Sequence, residues 1–123
     1  MTGQIRSPDD FDETDLRRKY PRFSAENFPR NLVLVDRMNE LATKKGCTPG
    51  QLTMAWLLAQ GGDIIPIPGT KKVKYLEENI GAVNVNVSAE EEREIRGWID
   101  KLDFAGVRNP PGMLDEFNDT PPL

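Results

Sequence analysis

The stretch IIPIPGTKKVKYLEENIGA, residues 64–82, contains the most informative change of pattern in the chain. The segment from Asp63, the residue just before this stretch, to Gly69 is rich in β-branched isoleucine and is the one clear strand candidate in the sequence. After the Pro-Gly turn, apolar side chains recur at helical spacing: Val73, Leu76, Ile80 and Val83. The stretch therefore predicts a strand, a tight turn and a helix capped by Thr70.

The start of this predicted helix has the chemistry of an anion-binding site. The backbone N–H groups of Lys71, Lys72 and Val73 would lie at the positive end of the helix dipole, next to a threonine hydroxyl. The side opposite the apolar stripe would carry Lys71, Tyr75, Glu78 and Asn79. A phosphate at the helix start and an adenine along this side would fit, because a phenol ring stacks on bases and carboxylate or amide groups bind an exocyclic amine. A solvated surface helix often carries the same residue types, so the spacing alone leaves both interpretations open.

Three further helices are predicted around this segment. The first has an apolar stripe at Leu34, Met38, Leu41 and Ala42 and ends at Gly46. The second begins at the capping box Thr48-Pro49-Gly50-Gln51 and is apolar almost all round. The last begins at the capping box Ser88-Ala89-Glu90-Glu91. We divide the chain into a polar, loop-like head (1–29), a folded segment (30–102) and a proline-rich tail (103–123).

The composition excludes several classes of function. The 123 residues carry 16 basic and 20 acidic side chains, and the net charge of −4 argues against a nucleic-acid or anionic-membrane partner. No apolar run approaches the roughly 18 residues that a transmembrane helix needs. Histidine is absent, which removes imidazole-based catalysis and the usual zinc sites, and we predict no metal site. The single cysteine and the lack of a leader pattern favour the cytoplasm.

The run GCTPGQLTMAWLLAQ, followed by DIIPIPGTKKVKYLEENIGAVNVNVSAEE, resembles the C-terminal end of the aldo-keto reductase family. The resemblance covers about residues 2–102 and is closest to the fungal and bacterial branch that includes pyridoxal reductases. It implies an α/β fold, namely the incomplete C-terminal portion of a (β/α)8 TIM barrel that is mostly helical with one clear strand. Members of the family reduce aldehydes and ketones with NADPH, and ligands bind at the C-terminal ends of the barrel strands.

The resemblance also assigns roles to individual residues. Gly69, Thr70, Lys71 and Lys72 would meet the ribose 2′-phosphate of NADP and its surroundings. Tyr75, Glu78 and Asn79 would lie along the adenine. The better-studied branch has Lys-Ser at the turn and arginine in place of Tyr75, so the preference for NADP over NAD would depend on Lys71 or Lys72.

The family's catalytic set of Asp, Tyr, Lys and His lies on early barrel strands and is not contained in this histidine-free chain. We therefore assign no catalytic residue here. One hypothesis is a C-terminal reductase portion, from a truncated gene model, an internal start or a split gene, which binds cofactor while the aldehyde or ketone reacts on the missing barrel portion. The alternative is a non-catalytic nucleotide-binding or interaction module that pairs with a full-length homologue.

Overall fold

Helices are the only regular secondary structure in the described part of the protein. The structure is a computed structural model that describes residues 3–107. Its helices are α1 (Phe28–Lys45), α2 (Pro49–Leu58), α3 (Val73–Gly81) and α4 (Ala89–Lys101), and short 3-10 helices lie at Pro8–Asp10, Leu16–Lys19, Pro21–Phe23 and Ala82–Asn84. Between residues 3 and 107, no helix combines the length and the apolar character that crossing a bilayer requires. Most of the predicted proline-rich tail lies outside the described residues.

Local sequence signals set the helix ends, as predicted. Gly46 follows α1 with a φ of 68°, the left-handed conformation that glycine adopts without steric cost. At the start of α2, the Thr48 hydroxyl accepts from the Gln51 amide, and the Gln51 side chain accepts from the Thr48 amide. The same reciprocal pair joins Ser88 and Glu91 at the start of α4. Both predicted capping boxes are therefore confirmed.

One compact unit is built on residues 34–102, and its core comes from three helices. The stripe of α1 predicted from the sequence is buried, and it packs with Leu52 of α2 and Ile95 of α4. Trp56, Trp98, Ile99 and Leu102 cover this cluster from its edges. The apolar helix α2 is buried only at Leu52 and Ala55, and Leu58 at its end is exposed.

The predicted strand is wrong for the described chain. No strand occurs within residues 3–107, and the segment from Asp63 to Gly69 has no regular secondary structure. A β-strand is stabilised by ladder hydrogen bonds to a neighbour, and the described residues offer the Ile65 and Ile67 amides no backbone acceptor. Ile65 is 80% exposed and Ile67 is 92% exposed. The segment thus has the composition of a strand and lacks a sheet.

The apolar face of α3 is also exposed. Val73 is 70% exposed, Ile80 59% and Leu76 48%, and Val83, which lies in the following 3-10 helix, is 70% exposed. The stripe predicted from the sequence therefore exists, but the described residues of this unit do not cover it. Instead, the side of α3 that carries Glu78 packs against the start of α2.

The second compact unit contains residues 5–33. Where the sequence predicts a loop-like head, this region forms three short 3-10 helices around an aromatic cluster. The Phe23 ring lies 5.4 Å from both Phe11 and Phe28, with edge-to-face geometry in each case. The Asn31 side chain exchanges two hydrogen bonds with the backbone of Ala105, at 2.9 and 3.0 Å. The boundaries of head, segment and tail stay a prediction.

An ion pair between the end of α1 and the start of α4 predicts a pH-dependent helix content. The Lys45 ammonium lies 2.7 Å from a carboxylate oxygen of Glu91, and both side chains are about four-fifths buried. This contact and the Ser88 amide hold the pKa of Glu91 below its ordinary value of 4.5. A carboxyl group whose pKa is lower in the folded than in the unfolded state stabilises the fold at pH values above its unfolded-state pKa. This stabilisation is lost as the pH falls through its folded-state pKa. We expect about 1 kcal/mol to be lost on acidification.

Circular dichroism in the far ultraviolet tests this expectation by acid titration of the chain and of Glu91→Gln. Glutamine can still accept from the Ser88 amide, so the substitution removes the charge and keeps the capping box. The Glu91→Gln curve should start lower at neutral pH and meet the unsubstituted curve in acid. Glu94→Gln, at an exposed position on the same helix, should leave the curve unchanged. Identical curves for Glu91→Gln and the unsubstituted chain would rule out the contribution of the pair.

Candidate functional site

The turn before α3 differs in detail from the predicted cap. The N-cap residue is Lys72, which has extended backbone angles and makes no capping bond with its own side chain. Thr70 lies two residues earlier, and its hydroxyl accepts from the Lys72 amide at 3.2 Å. The prediction that Thr70 caps the helix is therefore wrong. Its hydroxyl instead closes a local turn over residues 70–72, which precedes the first helical residue, Val73.

This turn changes which amides are available to a ligand. The Lys72 amide is bound to Thr70, so it is not free as the sequence interpretation expects. The first backbone bonds into the helix come from Tyr75 and Leu76, which both donate to the Lys72 carbonyl at 3.1 Å. Within the described part of the chain, the amides of Val73 and Lys74 have no acceptor. These two N–H groups lie at the positive end of α3.

Three lysines lie at or next to this turn. Lys71, Lys72 and Lys74 are exposed, and no carboxylate among residues 3–107 forms an ion pair with any of them. The Lys72 ammonium lies 5.8 Å from the centre of the Tyr75 ring, within the range of a cation–π contact. The Lys72 ammonium and the Tyr75 ring therefore occupy the same part of the surface.

Five of the seven predicted site residues line one open pocket of about 520 Å³. They are Gly69, Thr70, Lys71, Lys72 and Tyr75. The pocket is shallow and faces solvent, so a ligand bound there would keep much of its surface in water. The residues that line it include two lysines, a threonine and a tyrosine, a set of side chains that suits a phosphorylated nucleoside.

The other two predicted residues, Glu78 and Asn79, lie further along α3 and do not line the pocket. Both are half-buried, where the sequence interpretation puts them on an outward face. The Glu78 carboxylate accepts from the Thr48 hydroxyl at 2.7 Å. The Gln51 side chain donates to the backbone carbonyl of Glu78 at 3.1 Å.

Sequence reasoning identifies Thr48 and Gln51 as helix-capping residues and misses their contact with Glu78. The capping box is a local signal, readable within four residues. The contact joins positions that are 30 residues apart, and no spacing within either helix encodes it. Only the packing of α2 against α3 brings these side chains together.

Comparison with known proteins identifies the family to which this chain belongs. The sequence profile of the Aldo/keto reductase family matches residues 2–100, which is most of the chain. The protein therefore belongs to the aldo/keto reductase family, as the resemblance in the sequence indicates. The family fold is a (β/α)8 barrel. Residues 3–107 of this chain, taken alone, form helices and no strand.

Individual relatives agree with this assignment. The chain is 55% identical over 124 residues to aldo-keto reductase yakc of Schizosaccharomyces pombe, whose name specifies NADP(+), and it covers 36% of that protein. It is 49% identical over 109 residues to aldo-keto reductase str7 of Strobilurus tenacellus, covering 32% of it. A probable aldo-keto reductase 1 of Glycine max is 45% identical over 109 residues, with 31% covered. The chain spans about a third of the length of these relatives.

Proposed function

We propose that this chain is the C-terminal part of an NADPH-dependent aldo-keto reductase and holds the adenosine-phosphate end of the cofactor. The observation that carries the proposal is the pocket at the start of α3, which is lined by two lysines and a tyrosine. Among residues 3–107, neither lysine has a carboxylate partner. The name of the Schizosaccharomyces pombe relative, which specifies NADP(+), supports the choice of cofactor. In the complete protein the substrate would be a small aldehyde or ketone, and the single cysteine favours a cytoplasmic protein.

The pocket residues fit the chemistry of the cofactor. The ribose 2′-phosphate is a dianion, and Lys71 and Lys72 supply two cations beside the amides of Val73 and Lys74. The Tyr75 ring offers an apolar surface for the base. NADPH, when bound, supplies the hydride that reduces a carbonyl group. The residues of this chain hold and orient the end of the cofactor that does not react.

The chemical step requires residues beyond this chain. The resemblance assigns it to an Asp, Tyr, Lys and His set, and this chain has no histidine. Its two tyrosines are Tyr20, which lies between two 3-10 helices, and Tyr75, which lines the pocket. Neither follows a strand in the described structure. We therefore infer that the catalytic residues belong to the remaining barrel.

The exposed apolar surfaces support the need for that remainder. The segment from Asp63 to Gly69 has strand composition and exposed isoleucines, and the described residues offer the Ile65 and Ile67 amides no backbone acceptor. The apolar face of α3, which follows it in the sequence, is also exposed. In a (β/α)8 barrel, a strand pairs with both neighbours and the following helix packs on the sheet. The same surfaces would serve the alternative function, a non-catalytic module that pairs with a full-length barrel. The two functions differ in whether this chain forms a defined complex with an intact reductase.

Calorimetric titration of the purified chain tests the proposal. We expect adenosine 2′,5′-bisphosphate and NADPH to bind in a 1:1 ratio, with affinity that falls as salt rises, because the contacts are ionic. With NADPH and a panel of aldehydes, cofactor oxidation should not exceed the rate without protein. Absence of binding would refute the role of the pocket. Turnover by the chain alone would refute the assignment of the catalytic residues to another part.

A chimera supplies the positive control. In it, this chain replaces the matching third of the Schizosaccharomyces pombe relative, so that the rest of the barrel is present. We expect the chimera to reduce aldehydes with NADPH and to melt cooperatively, and the isolated chain to do neither. An interaction module would instead form a defined complex with the intact relative, which light scattering would detect.

A further inference from the structure

The contact between α2 and α3 joins Thr48, the N-cap residue of α2, to Glu78, a candidate cofactor-binding residue of α3. The Thr48 hydroxyl accepts from the Gln51 amide at 3.1 Å and donates to Oε1 of Glu78 at 2.7 Å. One hydroxyl therefore uses both its acceptor and its donor capacity. Because the second bond ends on a carboxylate, it is short and charge-assisted.

Gln51 makes a second connection between the same two helices. Its Oε1 accepts from the Thr48 amide at 3.1 Å, and its Nε2 donates to the Glu78 carbonyl at 3.1 Å. The Gln51 side chain can approach α3 this closely because Gly81 has no side chain. A Cβ at Gly81 would lie 2.6 Å from Nε2 of Gln51. Both members of the capping box thus bind Glu78: Thr48 binds its side-chain carboxylate, and Gln51 binds its backbone carbonyl.

The surroundings of the Glu78 carboxylate restrict its position. Gly50 lies so near that an added Cβ would be 3.4 Å from Oε1, which places the carboxylate beside the first turn of α2. The positive end of a helix dipole attracts a carboxylate. Within the described part of the chain, Oε2 of Glu78 has no hydrogen-bond partner, so this oxygen is left as an acceptor.

We infer that Thr48 is a positioning residue, which holds the Glu78 carboxylate so that it can recognise the amino group of the cofactor's adenine. The inference rests on the proposed function, and the Thr48 contact is its new element. A carboxylate held at one oxygen loses rotational freedom before the ligand arrives, which lowers the entropic cost of binding. A carboxylate that accepts only from an amine also disfavours a base with a carbonyl group at that position.

Comparison of NADPH with its hypoxanthine analogue measures this recognition. The analogue has a carbonyl oxygen in place of the adenine amino group, and its N1 carries a hydrogen that adenine lacks. The unsubstituted chain should bind NADPH more tightly than the analogue. The Glu78→Gln variant gives the ratio of these two affinities that is expected when the carboxylate is lost. Thr48→Val should reduce the preference by about tenfold, toward that of Glu78→Gln. Thr48→Ser retains the hydroxyl and should retain the preference.

Thr48→Asp separates positioning from capping. Aspartate is as good an N-cap as serine, so α2 should keep its helicity in circular dichroism. Its carboxylate cannot donate to Glu78 and repels it, so the preference for NADPH should fall as in Thr48→Val. A purely structural role predicts the opposite pattern, in which Thr48→Asp behaves like the unsubstituted chain and Thr48→Val weakens both cofactors equally.

The outcomes distinguish this inference from the proposed function. If the unsubstituted chain binds NADPH and prefers it to the analogue, but Thr48→Val and Thr48→Asp keep that preference, the positioning role is wrong and the proposed function stands. If the unsubstituted chain binds neither cofactor, the proposed function fails and the inference fails with it. If it binds both equally, Glu78 does not read the base and the positioning role is again wrong.

Discussion

Replacing Lys71 and Lys72 together by methionine is expected to weaken NADPH binding by about a hundredfold. Both lysines line the pocket at the start of α3, and no carboxylate of the described residues neutralises either one. A hydrogen bond to a charged group contributes about 1.5–3 kcal/mol, and the open pocket favours the lower end of that range because water screens it. Each lysine then contributes about tenfold.

NADH provides the matched ligand for this experiment, because it lacks the 2′-phosphate. Its affinity should change by less than about threefold in the double variant, so the preference for NADPH should nearly disappear. Lys74→Met provides the matched variant: Lys74 is exposed on the same helix but does not line the pocket. Calorimetric titration at low and high salt gives all these values. Equal losses for NADH and NADPH, or an equal loss in Lys74→Met, would contradict recognition of the 2′-phosphate by the pair.

The helix ends were predictable because their causes are local. A capping box needs four consecutive residues, as at Thr48 and Ser88, and a left-handed C-terminal glycine needs one, as at Gly46. The buried stripe of α1 follows from helical spacing alone. In these cases the interactions that stabilise the structure join residues that are close in the sequence.

The strand and the Thr70 cap could not be predicted correctly for the opposite reason. Isoleucines favour a strand only where another strand supplies hydrogen bonds, and the described residues contain none. Thr70 has the chemistry of a cap, but its hydroxyl binds the Lys72 amide in a turn that precedes the helix. Strand pairing depends on distant partners, and the position of a cap within one turn depends on backbone angles that the residue type does not fix.

The candidate site was predictable in part. The pocket brings together Gly69, Thr70, Lys71, Lys72 and Tyr75, which are close in the sequence. The contact of Glu78 with Thr48 was not predictable, because it depends on how α3 packs against α2. Assignment of all seven residues to the cofactor stays a proposal, which the titrations test at Lys71, Lys72 and Glu78.

Ile67→Lys should abolish turnover of the chimera and leave the isolated chain unaffected. In the described structure Ile67 is 92% exposed, so a lysine there costs the isolated chain little. In a completed barrel, the Asp63–Gly69 segment would become a strand buried between its neighbours. An unpaired charge at a buried site costs several kcal/mol, which is comparable to the whole stability of a domain. The same substitution is therefore harmless in one context and decisive in the other.

For the chimera, this difference is measured by aldehyde-dependent NADPH oxidation and by thermal melting. For the isolated chain, it is measured by calorimetry with adenosine 2′,5′-bisphosphate and by circular dichroism. The isolated Ile67→Lys chain should keep its affinity and its helicity. Asn86→Lys, which adds the same charge at an exposed position between α3 and α4, should leave both proteins unchanged. A fully active Ile67→Lys chimera would mean that the segment remains in solvent after assembly. In that case the barrel would be completed without this strand, and the exposed isoleucines would need another explanation.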